Sequence, residues 1–329
     1  MKHPTLSIVV PIYNVETLLD RFLTSLAKQT MSKNQIEVLI LDGGSTDRTL
    51  EIAKLYNVTV IPNPQKLAEP GVVLGFQKAK GELVMVLAVD NIFPKATAIQ
   101  DLIEVFENKN ITAAFPKHET AKDDSIYSRY INTFTDPFTH FVYGNAANAR
   151  TFNRVYKTIQ HTDSYDIYDF QSTSIYPLIA LAQGFTIRKE YIQERIHNAF
   201  DDVLVIYDLI KKKKSIAYVY SVSLYHYTIQ NFQDFVRKQR RAVENALVRN
   251  NAGISKRGIY LTRGQKMRMA LFFPYALTIV IPLLQSVIQY VRTRNFIWLF
   301  HWYISFVSAV TLLMGVVIIR LKNYNYSND

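Results

Sequence analysis

The 329-residue chain contains no cysteine. That excludes disulfides, thiolate metal sites and a cysteine nucleophile, and it fits a reducing compartment. Acidic residues are outnumbered, with 27 Asp and Glu against 38 Lys and Arg, for a net charge of +11. No signal peptide is expected, because the first apolar run begins at Leu6 and stops at Pro11 and Asn14. No glycine-rich GxGxxG follows that run. The position reads PIYNVE, which argues against a nicotinamide-dinucleotide enzyme. There is no internal repeat and no low-complexity tract.

The positive charge is concentrated. Between Arg237 and Arg268 there are ten Lys and Arg against one acid, Glu244. The chain before Val236 is close to neutral, so the basic excess does not belong to its folded α/β part. A nucleic-acid binder carries its charge on the folded domain, so no nucleic-acid partner is expected. Two long apolar runs follow. Met269 to Val291 has 23 residues without a charge, and Asn295 to Ile319 has 25 residues whose only ionisable side chains are His301 and Tyr303. A membrane-crossing helix needs about 20 apolar residues, so each run is long enough. Pro274, Pro282, Gln285 and Gln289 weaken the first. Trp298, Trp302, Tyr303 and Tyr290 suit interfacial positions. The basic segment is the expected cytoplasmic flank, and Arg320 and Lys322 favour a hairpin with both ends inside. Phe232, Phe235, Val236, Val243, Ala246 and Leu247 fall at helical spacing, with Arg237, Lys238, Arg240 and Arg241 between them. They predict an amphipathic helix, placed either on an anionic leaflet or on the surface of the folded domain.

The first ~115 residues alternate strand and helix at the spacing of βαβ units. Strands are expected at Ser7 to Ile12, Glu37 to Leu41, Val58 to Ile61 and Glu82 to Val89, and near Thr112 to Phe115. Continuous apolar strands are buried on both faces, which predicts a helix-covered, doubly wound, mostly parallel sheet. Its ligands bind beyond the carboxyl ends of the strands, where Asn14, Asp42 and Asp90 stand. From His118 to about Phe170 the pattern loosens and reads as an insertion or loops. A helix is expected over Ser174 to Gln183, a short strand over Thr186 to Arg188, a helix over Val203 to Lys214 and a strand over Ile216 to Val222.

Three motifs at those strand ends, PIYN, LDGGSTDRTLEIA and GxxxGFxxAKGELVMVLAVDN, together resemble the nucleotide-sugar glycosyltransferases of family 2, which have the GT-A fold. The similarity covers roughly Leu6 to Tyr227. It implies that Pro11, Tyr13, Asn14, Asp42 and Gly44 hold the nucleotide end of the donor. It places Asp90 at the donor diphosphate with a divalent metal, Mg²⁺ or Mn²⁺, which Asn91 and His226 would help to hold. Oxygen ligands suit those ions. The family usually has Asp-x-Asp there. This chain reads Ala88-Val89-Asp90, so one carboxylate is missing. The resemblance also implies a catalytic base at the start of a later helix, matched by Asp202 or its neighbour Asp201. Turn formation and helix capping are the competing roles for Asp42, Asp47, Asp201 and Asp202. Arg188 and Lys189 resemble an acceptor-side wall, with plain surface placement as the alternative.

Processive synthases of the family carry Gln-x-x-Arg-Trp before their membrane helices. Here Gln239 is followed by Arg240, Arg241 and Ala242, so transfer of a single sugar is the better reading. The expected organisation is a GT-A domain over 1–230, a basic amphipathic juxtamembrane segment over 231–268, two transmembrane helices over 269–320 and a polar tail over 321–329. The expected protein is multi-pass, with a cytoplasmic glycosyltransferase domain and possible homo-oligomerisation. It would take a nucleotide-sugar donor, and its acceptor would be a membrane lipid, polyprenyl phosphate or a lipid-linked saccharide, at an anionic membrane surface. A nucleotide-binding protein without turnover and a membrane scaffold stay open beside it.

Overall fold

The computed structural model describes residues 5–192, 202–247 and 257–326. The chain divides into two units, one of them Met1–Glu119, Tyr156–Ser172 and Ile179–His226, the other Thr120–Val155, Thr173–Leu178 and Tyr227–Asp329. The first is α/β and the second is helical. This division is discontinuous, unlike the linear one expected from the sequence, because the stretch after His118 is not loop. It folds into α5 (Ile126–Phe134) and α6 (Pro137–Tyr143) of the helical unit. Ser125 caps α5 by accepting the Ser128 N–H, and Asp136 caps α6 by accepting the Thr139 N–H at 3.0 Å, with Pro137 at the first helical position.

In the α/β unit, β1 (Leu6–Ile12) pairs in parallel with β2 (Ile36–Asp42) and β4 (Leu83–Leu87), and β2 pairs with β3 (Thr59–Pro62). All five residues of β4 are buried. Each fully buried Val or Leu contributes about 1.5–3 kcal/mol, so these strands anchor the unit. α1 (Glu16–Ala27) buries Leu19, Phe22 and Leu23, one helical face, against that core. α2 (Thr49–Ala53) is short, and α4 (Ala98–Glu104) buries Ile99 and Leu102. The sheet continues through β9 (Gln183–Arg188), antiparallel to both β4 and β6 (Ile111–Glu119), to β10 (Ser215–His226), which is parallel to β6. β7 (Lys157–His161) and β8 (Asp166–Asp169) form the far edge, and β5 (Asn91–Ile92) pairs with the end of β10. The sheet is thus mixed, and its β3-β2-β1-β4 half is wholly parallel.

No helix covers Ser174 to Gln183. Pro177 lies within that segment and removes a helical donor. The Leu178 N–H bonds instead to the Ala146 carbonyl at 2.9 Å, and the chain enters β9 through Gly184 at φ +80. Arg188 and Lys189 are braces rather than an acceptor wall. Arg188 donates to the Ile111 and Phe106 carbonyls at 2.9 and 2.6 Å, and Lys189 donates to Ala79 O at 2.6 Å. The helix expected over Val203 to Lys214 is α7 (Asp202–Lys211), which begins one residue earlier and stops at Lys211.

α3 (Ala68–Lys78) lies directly on β1. A Cβ at Gly75 would stand 2.2 Å from Val9 Cγ1, and one at Gly71 would stand 3.2 Å from Pro11 Cβ. The GxxxG spacing puts both glycines on the helix face that meets the strands. Beyond the carboxyl end of β1, Asp47 bridges two helix starts. Its Oδ2 accepts the Glu16 N–H at 3.2 Å and its Oδ1 the Thr49 N–H at 3.0 Å, while Glu16 Oε2 accepts the Arg48 N–H at 2.9 Å. α1 has no cap from its own Val15, so Asp47 supplies one from another segment.

In the helical unit, α8 (Phe232–Leu247) follows the amphipathic pattern, but its apolar face is covered by protein. Phe235 and Val243 are buried, and Val243 meets Gly315 of the last helix, at 3.2 Å from a Cβ built there. α8 therefore does not offer that face to a leaflet. Met269 to Val291 is not one helix. It is split between α9 (Arg263–Leu277) and α10 (Val280–Thr293), bent by 95° at the break. The last helix, α11 (His301–Tyr326), together with the preceding turn forms the run Phe296–Leu321. Among the described residues it is the one unbroken helical run long and apolar enough to cross a membrane, and 33% of its most apolar window is buried inside the protein. The expected pair of spans is thereby reduced to one such helix and a broken pair, and the break falls in the run that Pro274 and Pro282 weaken.

Two stability outcomes follow from these contacts. Gly75→Ala forces its new methyl group into Val9 and is expected to cost about 1–3 kcal/mol in urea unfolding. Adding Val9→Ala should recover part of that loss, and no recovery would refute the contact. For Asp47, burial pushes the carboxyl up, but the Thr49 hydroxyl and the Thr49 and Glu16 amides together hold it below the usual value of 3.8. A lowered carboxyl stabilises the fold above its unfolded pKa, and that stability is lost as pH falls through the folded value. Asp47→Ala should therefore cost about 1 kcal/mol at neutral pH. The gap from the parent should shrink below pH 3.8. A pH-independent difference would remove the carboxylate from the explanation.

Candidate functional site

β1 lies between β2 and β4 and all three are parallel, so their carboxyl ends open on one edge of the sheet. The strand order steps from β1 to β2 and β3 on one side and to β4 on the other. At such a reversal the connections leave on opposite faces, and the strand ends are left open to a ligand.

On the β1–β2 side the site is a hydrogen-bonded turn. Asp42 ends β2 and is 7% exposed. Its carboxylate accepts the Gly44 N–H at 3.1 Å, the Ser45 N–H at 3.1 and 3.2 Å and the Ser45 hydroxyl at 2.6 Å. A carboxylate has about four acceptor positions, so most of this one is spent on the turn. Gly44 has φ +88, which only glycine adopts freely. Ser45 Oγ also accepts the Asn14 N–H at 3.0 Å, and Asn14 Oδ1 accepts the Thr46 N–H at 2.8 Å. Asn14 itself is left-handed at φ +49, a conformation that asparagine tolerates. The ends of β1 and β2 are thereby tied to each other. Pro11 is half-buried, and Tyr13 projects beyond β1 with 53% of its surface exposed, an aromatic face open for stacking.

Lys66 belongs to the same edge, although sequence reasoning did not single it out. It is exposed and left-handed at φ +58, and its Cε lies 3.8 Å from a Cβ built on Gly44. The only sequence signal was the Pro62–Pro64 break that ends β3.

On the β4 side, Asp90 follows the strand and is followed by β5. β5 runs antiparallel to the end of β10, with His226 opposite Asn91 and Tyr225 opposite Ile92. This pairing sets His226 Nε2 3.5 Å from Asp90 Oδ2. Asn91 is 1% exposed, and its Nδ2 donates to Asp90 Oδ1 at 3.0 Å, Ala88 O at 3.1 Å and Ala182 O at 3.4 Å. Its Oδ1 is buried without a hydrogen-bond partner. Two further groups surround His226. Gln183 Nε2 lies 3.2 Å from His226 Nδ1, and the His118 ring is tilted against His226 at 6.4 Å between centroids. The polar end of β6, Lys117-His118-Glu119, was a signal for His118. Gln183 was concealed by the expected helix.

Asp202 is the first residue of α7, and Asp201 lies outside the described residues. Among the described residues no group of three or more His, Asp or Glu converges to hold a metal. Asp90 and His226 offer one carboxylate and one imidazole, with the unpartnered Asn91 oxygen beside them. Mg²⁺ and similar ions bind through one or two carboxylates plus substrate phosphates, so this small donor set suits a cation that takes its other oxygens from substrate and water.

Comparisons with known proteins agree with this geometry. The family described as Glycosyl transferase family 2 matches residues 7–171. The poly(ribitol-phosphate) beta-N-acetylglucosaminyltransferase TarS of Staphylococcus aureus (strain Mu50 / ATCC 700699) is 35% identical over 97 residues, which are 28% of this chain and 17% of that protein. The O-antigen chain rhamnosyltransferase WbaN of Salmonella anatum is 28% identical over 143 residues, 40% of this chain and 44% of that protein. Each of these matches thus spans less than half of the relative. Among solved structures, the mannosyltransferase PcManGT from Pyrobaculum calidifontis, in complex with GDP-Man and Mn²⁺, shares the fold with a TM-score of 0.54 at 13% identity, covering 95% of this chain and 88% of that one. The family match spans half of the chain and takes in β1, β2, β4, the Asp42 turn and Asp90, and on that ground the chain belongs to glycosyl transferase family 2.

Proposed function

We propose that this protein moves a single sugar from a nucleotide-sugar to an acceptor carried on a membrane lipid, either polyprenyl phosphate or a lipid-linked saccharide. One observation carries the reading. Asp90 and His226 meet at 3.5 Å on the sheet edge that also presents the tied ends of β1 and β2. A nucleotide-sugar needs such an edge, with a groove for the nucleoside at one end and charge-neutralising groups for the diphosphate at the other.

In this reading Tyr13 stacks on the base and Pro11 backs it. Asn14, Asp42 and Gly44 shape the turn that receives the nucleoside, through backbone groups and the remaining lone pairs of Asp42. Asp90 and His226, with Asn91 Oδ1, would hold a divalent cation, Mg²⁺ or Mn²⁺. When bound, the cation supplies neutralisation of the leaving diphosphate. Asn91 fixes the Asp90 carboxylate, so the single carboxylate that replaces the family's pair is held in one orientation. The solved mannosyltransferase contains Mn²⁺ and GDP-Man, which supports the assignment of a cation and a nucleotide-sugar to this edge. Asp202, at a helix N-terminus that favours its ionised form, polarises the acceptor hydroxyl, with Asp201 as the alternative. TarS is named for poly(ribitol-phosphate) and WbaN for an O-antigen chain, and the second name supports a saccharide or its lipid-linked form. The apolar C-terminal helices of this same chain support a lipid-borne one. We read the glycosyltransferase unit as cytoplasmic, on the side of the basic residues.

The absence of a first carboxylate at Ala88 favours one rival, a nucleotide-binding protein without turnover. Membranes containing the protein, incubated with a panel of labelled nucleotide-sugars and extracted into organic solvent, separate the two. Label in the organic phase is the expected result. Nucleotide binding without any transfer would favour the rival.

Asp90→Ala should abolish transfer while leaving the unfolding transition in place, and a fully active variant would remove the diphosphate role. His226→Ala should lower transfer about 10- to 100-fold. Asp202→Asn should lower the turnover number about 10²- to 10⁴-fold with a hydroxyl acceptor. Little change is expected when the acceptor is itself a phosphate, because that group is already an ionised nucleophile. Unchanged turnover with a proven hydroxyl acceptor would exclude Asp202 as base.

A further inference from the structure

The helical unit wears one of its helices inside out. α10 buries Pro282 and Ser286 and exposes Val280, Ile281, Leu284, Val287, Ile288 and Val291. Its inward side is polar. Ser286 Oγ donates to Pro282 O at 2.7 Å and accepts the Trp302 N–H at 3.2 Å, and Gln285 Oε1 accepts the Tyr275 hydroxyl at 2.7 Å. A helix on a water-soluble domain does the reverse, with its apolar stripe toward the core. An outward apolar face of this extent marks a surface that is covered by something apolar.

Length and direction decide what kind of cover. α10 has 14 residues. At ~1.5 Å per residue it is about 21 Å long, short of the ~30 Å hydrocarbon core. It cannot borrow length from α9, because the two meet at 95°. The break is fixed in the backbone. Ile279 stands at φ +57, a left-handed conformation that a β-branched side chain resists. α9 begins with Arg263, Lys266 and Arg268 behind a Thr262–Gln265 capping box, so its first half is charged and its second half apolar. α10 ends in Arg292 and Arg294, both exposed.

We propose that α10 lies in the plane of the membrane within one leaflet, with its apolar face toward the acyl chains, and does not cross. α9, at close to a right angle, then brings its charged first turns out toward the headgroups. Arg292 and Arg294, with the exposed Arg263, Lys266 and Arg268 at the start of α9, give this side the charge complementary to anionic lipid. The inference shares with the proposed function only attachment to a membrane, and it does not depend on glycosyl transfer.

The absence of cysteine makes the test direct. Thr278→Cys and Thr293→Cys mark the two ends of α10, and Val287→Cys its apolar face. Asn57→Cys, on the exposed surface of the α/β unit, is the reference. Each full-length variant is placed in vesicles of phosphatidylcholine and phosphatidylglycerol and treated with a membrane-impermeant maleimide. The expected result is that the variants at 278 and 293 label from the same side as the variant at 57, while the variant at 287 stays unlabelled until detergent is added. Labelling of 278 and 293 from opposite sides would make α10 a span and overturn the proposal. So would labelling at 287 as readily as at 57. Failure to float with vesicles, together with crosslinking of Val287→Cys between two copies, would assign the face to a protein partner and overturn it as well. Transfer measured on the same vesicles keeps the readings apart. Active protein with opposite-side labelling refutes only the in-plane helix, and inactive protein with same-side labelling refutes only the enzyme.

Discussion

The site depends on a pairing of two residues with two. β5 is only Asn91–Ile92, and it adds to the end of β10 with His226 opposite Asn91. Through that contact a residue 136 positions later in the chain arrives beside Asp90. Without it Asp90 would be a loop carboxylate at the end of β4. Asn91 makes the arrangement rigid, because its buried amide binds the Ala88 and Ala182 carbonyls as well as Asp90. A fully buried amide group that lost those partners would cost about 1–3 kcal/mol, so the strand end and the carboxylate are held together.

The carboxylates of this edge divide their work. Asp42 and Asp47 spend their lone pairs on backbone donors, Asp42 on the Gly44–Ser45 turn and Asp47 on the starts of α1 and α2. They shape the groove rather than supply its charge. Asp90, beside an imidazole, is the carboxylate of the three strand ends whose surroundings suit a phosphate-bound cation. The loss of an acid at Ala88 is compatible with that division, because the remaining carboxylate is oriented by Asn91 and not by a second charge.

What was legible in the sequence is what is local. β1, β2 and β4 announce themselves as short apolar runs, and Asn14, Asp42 and Asp90 as the polar residues that end them. Gly71 and Gly75 entered the sequence reading only as part of a family motif, and the structure shows that their spacing admits Val9 and Pro11 of β1. The errors came from context. Ser174 to Gln183 has helical spacing of apolar residues, but Pro177 and the Ala146 carbonyl draw it into an extended path, and the misreading concealed Gln183. α5 and α6 were missed in a Tyr- and Asn-rich stretch, although Ser125 and the Asp136-Pro137 pair are helix-start signals. For α10, periodicity shows that one face is apolar but cannot show which way that face points. Only the positions of Ser286, Gln285 and Tyr275 settle that the polar side is the inner one.

The same inversion reaches α11. His301 is 1% exposed, and its two ring nitrogens meet two tyrosines, Tyr130 at 2.5 Å and Tyr275 at 2.8 Å. Ser305 and Ser308 are fully buried on that face, while Met314, Val317, Ile318 and Leu321 are exposed. Helices that gather polar groups inside and turn apolar groups outward gain little from the hydrophobic effect when water surrounds them. In an apolar surrounding the outward groups lose nothing, and the inward hydrogen bonds become the specific contacts that hold the helices in register. Tyr275 links the two arrangements, because its hydroxyl meets both Gln285 of α10 and His301 of α11. The inner faces of α10 and α11 therefore share one polar link, set among buried apolar side chains that include Phe272, Ala276, Ile304 and Ala309. A leaflet around α10 would stabilise that interior from outside, as a hydrophobic core stabilises the α/β unit from within.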